Sequence, residues 1–89
     1  MSATSLSLYG KPGCHLCEVA KEIVDTVVAE FPEGAVDLEE IDILQDPELV
    51  EKYGERIPVL LIDAELHAFW RVDSGRLRRA LDAAVTVPN

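Results

Sequence analysis

The chain has 89 residues, of which 48% are hydrophobic, and its 17 acidic against 8 basic side chains give a net charge of −9. This length predicts one domain over residues 1–89, because a second hydrophobic core would not fit. Nucleic-acid phosphates and anionic lipids repel so acidic a chain, so neither is an expected partner. The sequence has no basic, apolar leader and no stretch long enough to cross a bilayer, which predicts a cytoplasmic protein.

The first predicted elements are a strand and a helix, joined by a loop of glycine, lysine and proline. Residues 5–9 form a short apolar run typical of a buried strand, and residues 10–13 form the loop. Apolar side chains then recur at spacings of three and four, which predicts an amphipathic helix that ends near Phe31. The apolar positions are Leu16, Ala20, Ile23, Val24, Val27, Val28 and Phe31.

A second strand and a short helix follow. Residues 36–43 predict a strand whose apolar side chains change phase in the middle, which indicates a bulge, a twist or an edge position. Asp46 suits the N-cap of a helix, Pro47 suits its first position, and Gly54 suits its end. The crossover through the first helix predicts that the first two strands pair in parallel.

The remaining residues predict a hairpin and a last helix. The continuous apolar run at residues 59–62 is typical of a central strand covered on both faces. Asp63 and Ala64 form the turn into a strand over residues 66–71, although alanine is unusual where a primed turn needs positive φ. Apolar positions from Leu77 to Val85 predict a last helix that Asp73 or Ser74 caps, so the order becomes β-α-β-α-β-β-α. That order predicts an α/β fold, a mixed four-stranded sheet with helices on both faces.

The only cysteines, Cys14 and Cys17, form one Cys-x-x-Cys motif at the predicted start of the first helix. In a reducing compartment such a pair indicates working thiols or a metal site rather than a structural disulfide. Unpaired N–H groups and the helix dipole favour a thiolate at a helix start, so the sulfur of Cys14 is expected to ionise readily. Cys17 lies one turn further in, where it is expected to stay a thiol until it attacks.

Metal binding is the main alternative use of the motif. Zinc and iron–sulfur sites take about four ligands. This chain supplies two thiols, together with His15 and the distant His67, so a metal site would need a second chain. We therefore expect no metal, and iron–sulfur or zinc binding in a dimer stays as an alternative. A further alternative is a binding module whose cysteines are idle.

Three features together resemble the glutaredoxin-like branch of the thioredoxin fold. They are the Cys-x-x-Cys motif, its place after the first strand, and the Ile57-Pro58 pair before the buried strand. The resemblance covers about residues 5–85 and is narrowest to small bacterial glutaredoxin-like proteins, on residues 14–18 and 69–71. It implies the thioredoxin fold in its minimal glutaredoxin form and a monomeric thiol–disulfide oxidoreductase acting on protein or low-molecular-weight disulfides. Glutathione or another small thiol is the implied reductant, and no cofactor is bound permanently.

The resemblance also implies roles for individual residues. Cys14 corresponds to the nucleophile, and Cys17 corresponds to the residue that resolves the mixed disulfide. Pro58 corresponds to a cis-proline that faces the motif, and the backbone of Ile57 corresponds to a group that pairs with an extended substrate. Lys11, three residues before the nucleophile, corresponds to a lysine that meets a carboxylate of glutathione.

Two departures from the family pattern bear on the small-molecule site. His15 and Leu16 stand where glutaredoxins usually have Pro-Tyr, and a protonated His15 would add positive charge beside Cys14. Ala68 and Phe69 stand where a Gly-Gly pair holds the glutamyl end of glutathione. General thiol–disulfide exchange is therefore the prediction, and glutathione binding is left open.

Overall fold

The computed structural model describes residues 3–86, with the side chain of Thr86 excepted. Its element order and its mixed four-stranded sheet confirm the predicted α/β architecture. The elements are β1 (Thr4–Gly10), α1 (His15–Val28), β2 (Val36–Asp42), a 3-10 turn (Ile43–Gln45), α2 (Pro47–Tyr53), β3 (Val59–Ile62), β4 (Glu65–Phe69) and α3 (Ser74–Thr86).

The strand order is β2-β1-β3-β4, with β1 and β2 parallel as predicted. β3 runs antiparallel to β1, and the register pairs Tyr9 with Val59. Because of that direction, the residues that follow β1 and the residues that precede β3 meet at the same end of the sheet. The Cys-x-x-Cys motif follows β1 and Pro58 precedes β3, so the topology alone brings the two together.

Two apolar clusters cover the two faces of the sheet. Since side chains alternate along a strand, Leu60 enters the cluster under α1 and α3 while its neighbour Val59 enters the cluster on the face of α2. β3 is thus covered on both faces, as its apolar run predicted. The first cluster is Leu6, Leu8, Ala20, Val24, Val27, Leu60, Val72, Leu77 and Leu81, and the second is Ile43, Tyr53, Ile57 and Val59. Within residues 3–86 no helix is long and apolar enough to cross a bilayer.

The phase change in the second predicted strand has two causes in the structure. β2 is an edge strand, and its regular parallel pairing ends at Asp42. Val36 and Leu38 pack against the first cluster, whereas Ile43, in the 3-10 turn, is buried in the second, so the chain changes the face that it buries along its length. The Asp42 carboxylate accepts the N–H of Leu44 at 2.9 Å and starts that turn.

Helix α1 ends at Val28, three residues before the predicted end near Phe31. The chain continues beyond the helix in tighter turns, in which Phe31 donates its N–H to the Val28 carbonyl at 3.0 Å. Phe31 still packs against the first cluster. Apolar residues therefore continue at the helical spacing beyond the end of α1, because in these turns the same side of the chain still faces the core.

The β3–β4 hairpin uses a primed turn without glycine. Asp63 and Ala64 have φ values of 49° and 69°, so both central residues are left-handed. Asp63 is fixed in place by Ser5 of β1, because its N–H donates to the Ser5 carbonyl at 2.8 Å and its carboxylate accepts the Ser5 N–H at 2.9 Å. This pair of hydrogen bonds supports a conformation that costs alanine about 1–2 kcal/mol.

Strand β4 is shorter than predicted and carries a bulge. The register moves from Leu60–Ala68 to Leu61–Leu66, which leaves His67 as the extra residue. The strand ends at Phe69 because Trp70 turns into the left-handed region with a φ of 61°. The predicted end at residue 71 is therefore wrong by two residues.

Candidate active site

The motif loop is shaped by a glycine between β1 and α1. Gly13 has a φ of 76°, a left-handed conformation that glycine adopts without steric cost. It redirects the chain immediately before Cys14. Helix α1 then begins at His15, so the first cysteine of the motif is the N-cap residue.

Cys14 has an extended backbone, as an N-cap residue should, and its sulfur accepts the backbone N–H of Cys17 at 3.3 Å. Its carbonyl accepts the N–H of Glu18 at 3.1 Å and closes the first helical turn. The predicted placement of Cys14 at the helix start is therefore confirmed. A sulfur in this position faces the N–H groups that a helix leaves unpaired at its amino end, where negative charge is favoured.

Cys17 lies one turn behind Cys14, and both are half-buried free thiols. Burial, followed by a hydrogen bond to Cys14, raises the pKa of Cys17 to about 11. The backbone N–H and positive charge of Lys11 oppose that rise. At neutral pH Cys17 is accordingly a thiol, which is the protonation state expected of a residue that attacks second.

Gly10, the last residue of β1, is a site residue that the sequence analysis missed. A Cβ atom built on Gly10 would lie 3.0 Å from the Cys17 sulfur and 3.2 Å from its Cβ. Cys17 therefore packs directly on the backbone at the end of the strand, in space that any side chain would fill. A glycine that ends a buried strand just before the motif was the available signal, but loop glycines are too common for that signal to be specific.

The loop before β3 completes the site. The Ile57–Pro58 peptide bond is cis, and both residues are buried. Ile57 belongs to the second apolar cluster, and the side chains of Cys14 and Cys17 pack against that same cluster. The backbone N–H of Ile57 donates to the Tyr53 carbonyl at 3.1 Å. The N–H of Ile57 is thus already paired within the chain.

The two charged residues that the sequence analysis assigned to the site are both exposed. Lys11 lies in the motif loop and lines a cavity of about 320 Å³ beside Cys17. Lys21 lines the same cavity and contacts Asp25 at 2.7 Å and Glu40 at 3.8 Å. His15 is exposed at the first residue of α1. The site thus combines the apolar side chains of the second cluster with exposed charged side chains.

The described residues do not supply a complete set of metal ligands. Over residues 3–86, no three His, Cys, Asp or Glu side chains converge on a point that could hold a metal ion. His67 is the bulge residue in the middle of β4, where burial and then Arg76 lower its pKa. Metal bound at Cys14 and Cys17 would need ligands from another molecule.

The chain matches a protein family, a related sequence and a solved structure over most of its length. Residues 5–82 match the glutaredoxin-like domain (DUF836) family. A glutaredoxin-like protein of Dictyostelium discoideum is 34% identical over 76 residues, covering 82% of this chain and 70% of that protein. The X-ray structure of a structural genomics target from X. campestris is 36% identical, with a TM-score of 0.68 over 88% of this chain and 96% of that chain.

A thioredoxin variant from Halobacterium salinarum has a TM-score of 0.69 over 99% of this chain and 80% of that chain. At 20% identity, this likeness shows the fold alone. The thioredoxin fold implied by the sequence is therefore confirmed. The family match spans nearly all of the described residues, from β1 into α3, and the chain belongs to the glutaredoxin-like domain family.

Proposed function

We propose that this protein is a thiol–disulfide oxidoreductase whose working couple is the dithiol and disulfide of Cys14 and Cys17. The observation that carries the proposal is the N-cap geometry, in which the Cys14 sulfur accepts the Cys17 N–H at 3.3 Å. A helix start favours the thiolate, which is the species that attacks disulfides. Membership of the glutaredoxin-like family supports a thiol redox role.

The reduction of a substrate disulfide takes two steps. The Cys14 thiolate attacks one substrate sulfur, a mixed disulfide forms, and the other substrate sulfur leaves as a thiolate that takes a proton from water. Cys17 then gives its proton to solvent and attacks the Cys14 sulfur, which breaks the mixed disulfide. The second substrate sulfur leaves as a thiolate and takes a proton from solvent. The substrate gains two electrons and two protons, and the protein dithiol becomes a disulfide. Two molecules of glutathione or of another low-molecular-weight thiol then reduce that disulfide and become joined to each other as a disulfide.

Four residues around the motif hold the substrate in this proposal. The Ile57 carbonyl accepts an N–H from an extended polypeptide, and Pro58 sets the position of that carbonyl. Lys11 offers its positive charge to a carboxylate of a small thiol such as glutathione. His15, exposed beside the nucleophile, contacts the substrate as it approaches. The protein acts as a cytoplasmic monomer on protein disulfides or on low-molecular-weight disulfides.

A redox titration tests the proposal. The protein is equilibrated in buffers of graded dithiol-to-disulfide ratio and quenched with a mass-tagged alkylating reagent. Its mass is then measured by mass spectrometry. We expect one two-electron transition between about −270 and −120 mV, the span of known dithiol oxidoreductases. Cys17→Ser is the matched control, because it cannot form the internal disulfide. A wild-type protein that stays a dithiol across this span would contradict the proposal and favour a binding module with idle cysteines.

A further inference from the structure

Trp70 has a backbone conformation that is rare for a bulky residue. It directly follows β4 and has a φ of 61°, in the left-handed region that favours glycine. Such outliers persist only where the surrounding structure holds them, and they cluster at functional sites. Trp70 takes no part in the exchange steps proposed above, so its conformation must serve another purpose.

Within residues 3–86, every hydrogen bond that Trp70 donates ends on the loop before β3. Its backbone N–H donates to the Pro58 carbonyl at 2.8 Å and, at a longer 3.3 Å, to the Arg56 carbonyl. Its indole Nε1–H donates to the Glu55 carbonyl at 3.0 Å. Trp70 thus bonds to both ends of the segment formed by residues 55–58, and Ile57 lies between the residues that accept these hydrogen bonds.

The exposed part of Trp70 lies beside the motif. The residue is 53% exposed, and its indole lines a groove of about 350 Å³ together with Leu16 and Val19 of α1. Leu16 is the residue immediately before Cys17 in the motif. Trp70 therefore spans the distance between the loop that carries Ile57 and the helix that carries the cysteines.

We propose that Trp70 is a positioning residue that fixes residues 55–58 so that the Ile57 carbonyl meets a polypeptide substrate beside Cys14. This inference rests on the proposed function. The left-handed backbone of Trp70 aims its N–H at Pro58, and its indole reaches Glu55 at the other end of the loop. An indole N–H that could bond to water at an exposed position bonds to this loop instead. The role concerns extended polypeptides, because a small disulfide does not need the Ile57 carbonyl.

The test is Trp70→Phe, which keeps an aromatic ring in the groove and removes the N–H that reaches Glu55. The probes are insulin, whose chains are joined by disulfides, and bis(2-hydroxyethyl) disulfide. We expect kcat/KM for insulin to fall roughly 3- to 10-fold, the range for one lost hydrogen bond, through a higher KM with kcat little changed. The rate with the small disulfide and the alkylation rate of Cys14 should stay at the wild-type values.

Leu66→Ala is the matched control, because Leu66 is an equally exposed apolar residue on β4 (54%), away from the loop. Its kinetics with both disulfides should match those of the wild type. Amide hydrogen exchange supplies a second readout that does not depend on turnover. In Trp70→Phe the N–H groups of Arg56 and Ile57, which both donate to Tyr53, should exchange faster than in the wild type.

The possible outcomes separate this inference from the proposed function. An equal loss on both disulfides, or unchanged insulin kinetics with unchanged amide exchange, would overturn the role of Trp70 alone. A wild-type protein that reduces neither disulfide would overturn the proposed function, and the role of Trp70 with it.

Discussion

Serine in place of Cys14 is expected to abolish disulfide exchange, whereas serine in place of Cys17 is expected to leave the first attack intact. The reason lies in the unequal positions of the two sulfurs. Cys14 caps the helix and accepts the Cys17 N–H, while burial and the bond to Cys14 raise the pKa of Cys17 to about 11. Without Cys17 the mixed disulfide on Cys14 has no internal attacker, so it should accumulate.

Mass spectrometry under non-reducing conditions provides the measurement. Each variant is mixed with a peptide disulfide and quenched with acid, and the mass of the intact protein is then measured. Cys17→Ser should gain the mass of one half of the peptide, and Cys14→Ser should stay at its own mass. The same Cys17→Ser protein, added to a cell extract, should retain its substrates covalently and allow their identification. If Cys17→Ser were as inert as Cys14→Ser in the peptide assay, the two roles would be assigned wrongly.

Alanine at Gly10 is expected to slow the resolving step, because its Cβ atom would lie 3.0 Å from the Cys17 sulfur. The Cys17 side chain would have to move, and displacement of a reacting atom by a fraction of an ångström to 1 Å costs roughly 10- to 100-fold in rate. The first attack by Cys14 should be nearly unaffected. Rapid-quench mass spectrometry should therefore show the mixed disulfide lasting longer than in the wild type.

Gly75→Ala is the matched control for Gly10→Ala. A Cβ atom at Gly75 would meet the Asp73 carboxylate at 3.5 Å and the Arg79 guanidinium at 3.6 Å, which are ordinary contacts. Gly75 is the second residue of α3, away from the cysteines, and alanine fits there without steric conflict. Its exchange kinetics should equal those of the wild type. Resolution at the wild-type rate in Gly10→Ala would show that Cys17 can attack from a displaced position, against our account of the site.

Local patterns were enough to predict most elements and the placement of the motif. The three- and four-residue spacing of apolar residues from Leu16 onward predicts helix α1 directly, because that period is a property of the helix itself. The apolar run of β3 reports burial on both faces in the same local way. Since strand and helix follow one another around the motif, the helix-start position of Cys14 also followed from the sequence.

Features that depend on distant residues could not be predicted in this way. Gly10 matters because Cys17 packs on it, and that contact exists only once β1 and α1 have docked. Trp70 ends β4 early because of carbonyls more than ten residues away, at Glu55 and Pro58. Ala64 has a left-handed conformation that alanine disfavours. Hydrogen bonds between its neighbour Asp63 and β1 hold the turn in that conformation. At Trp70 and Ala64 a tertiary contact decides a backbone conformation that local propensity does not favour.

The two cysteines of the motif differ because Cys14 caps the helix while Cys17 lies half-buried one turn behind it. The most direct measurement is the rate at which iodoacetamide labels each cysteine of the reduced protein as the pH is raised from 6 to about 11, with fragment mass spectrometry locating the label. We expect Cys14 to be labelled at neutral pH while Cys17 stays unlabelled until the pH approaches its pKa of about 11. Labelling of both cysteines at the same rate across this range, as for free thiols, would contradict it.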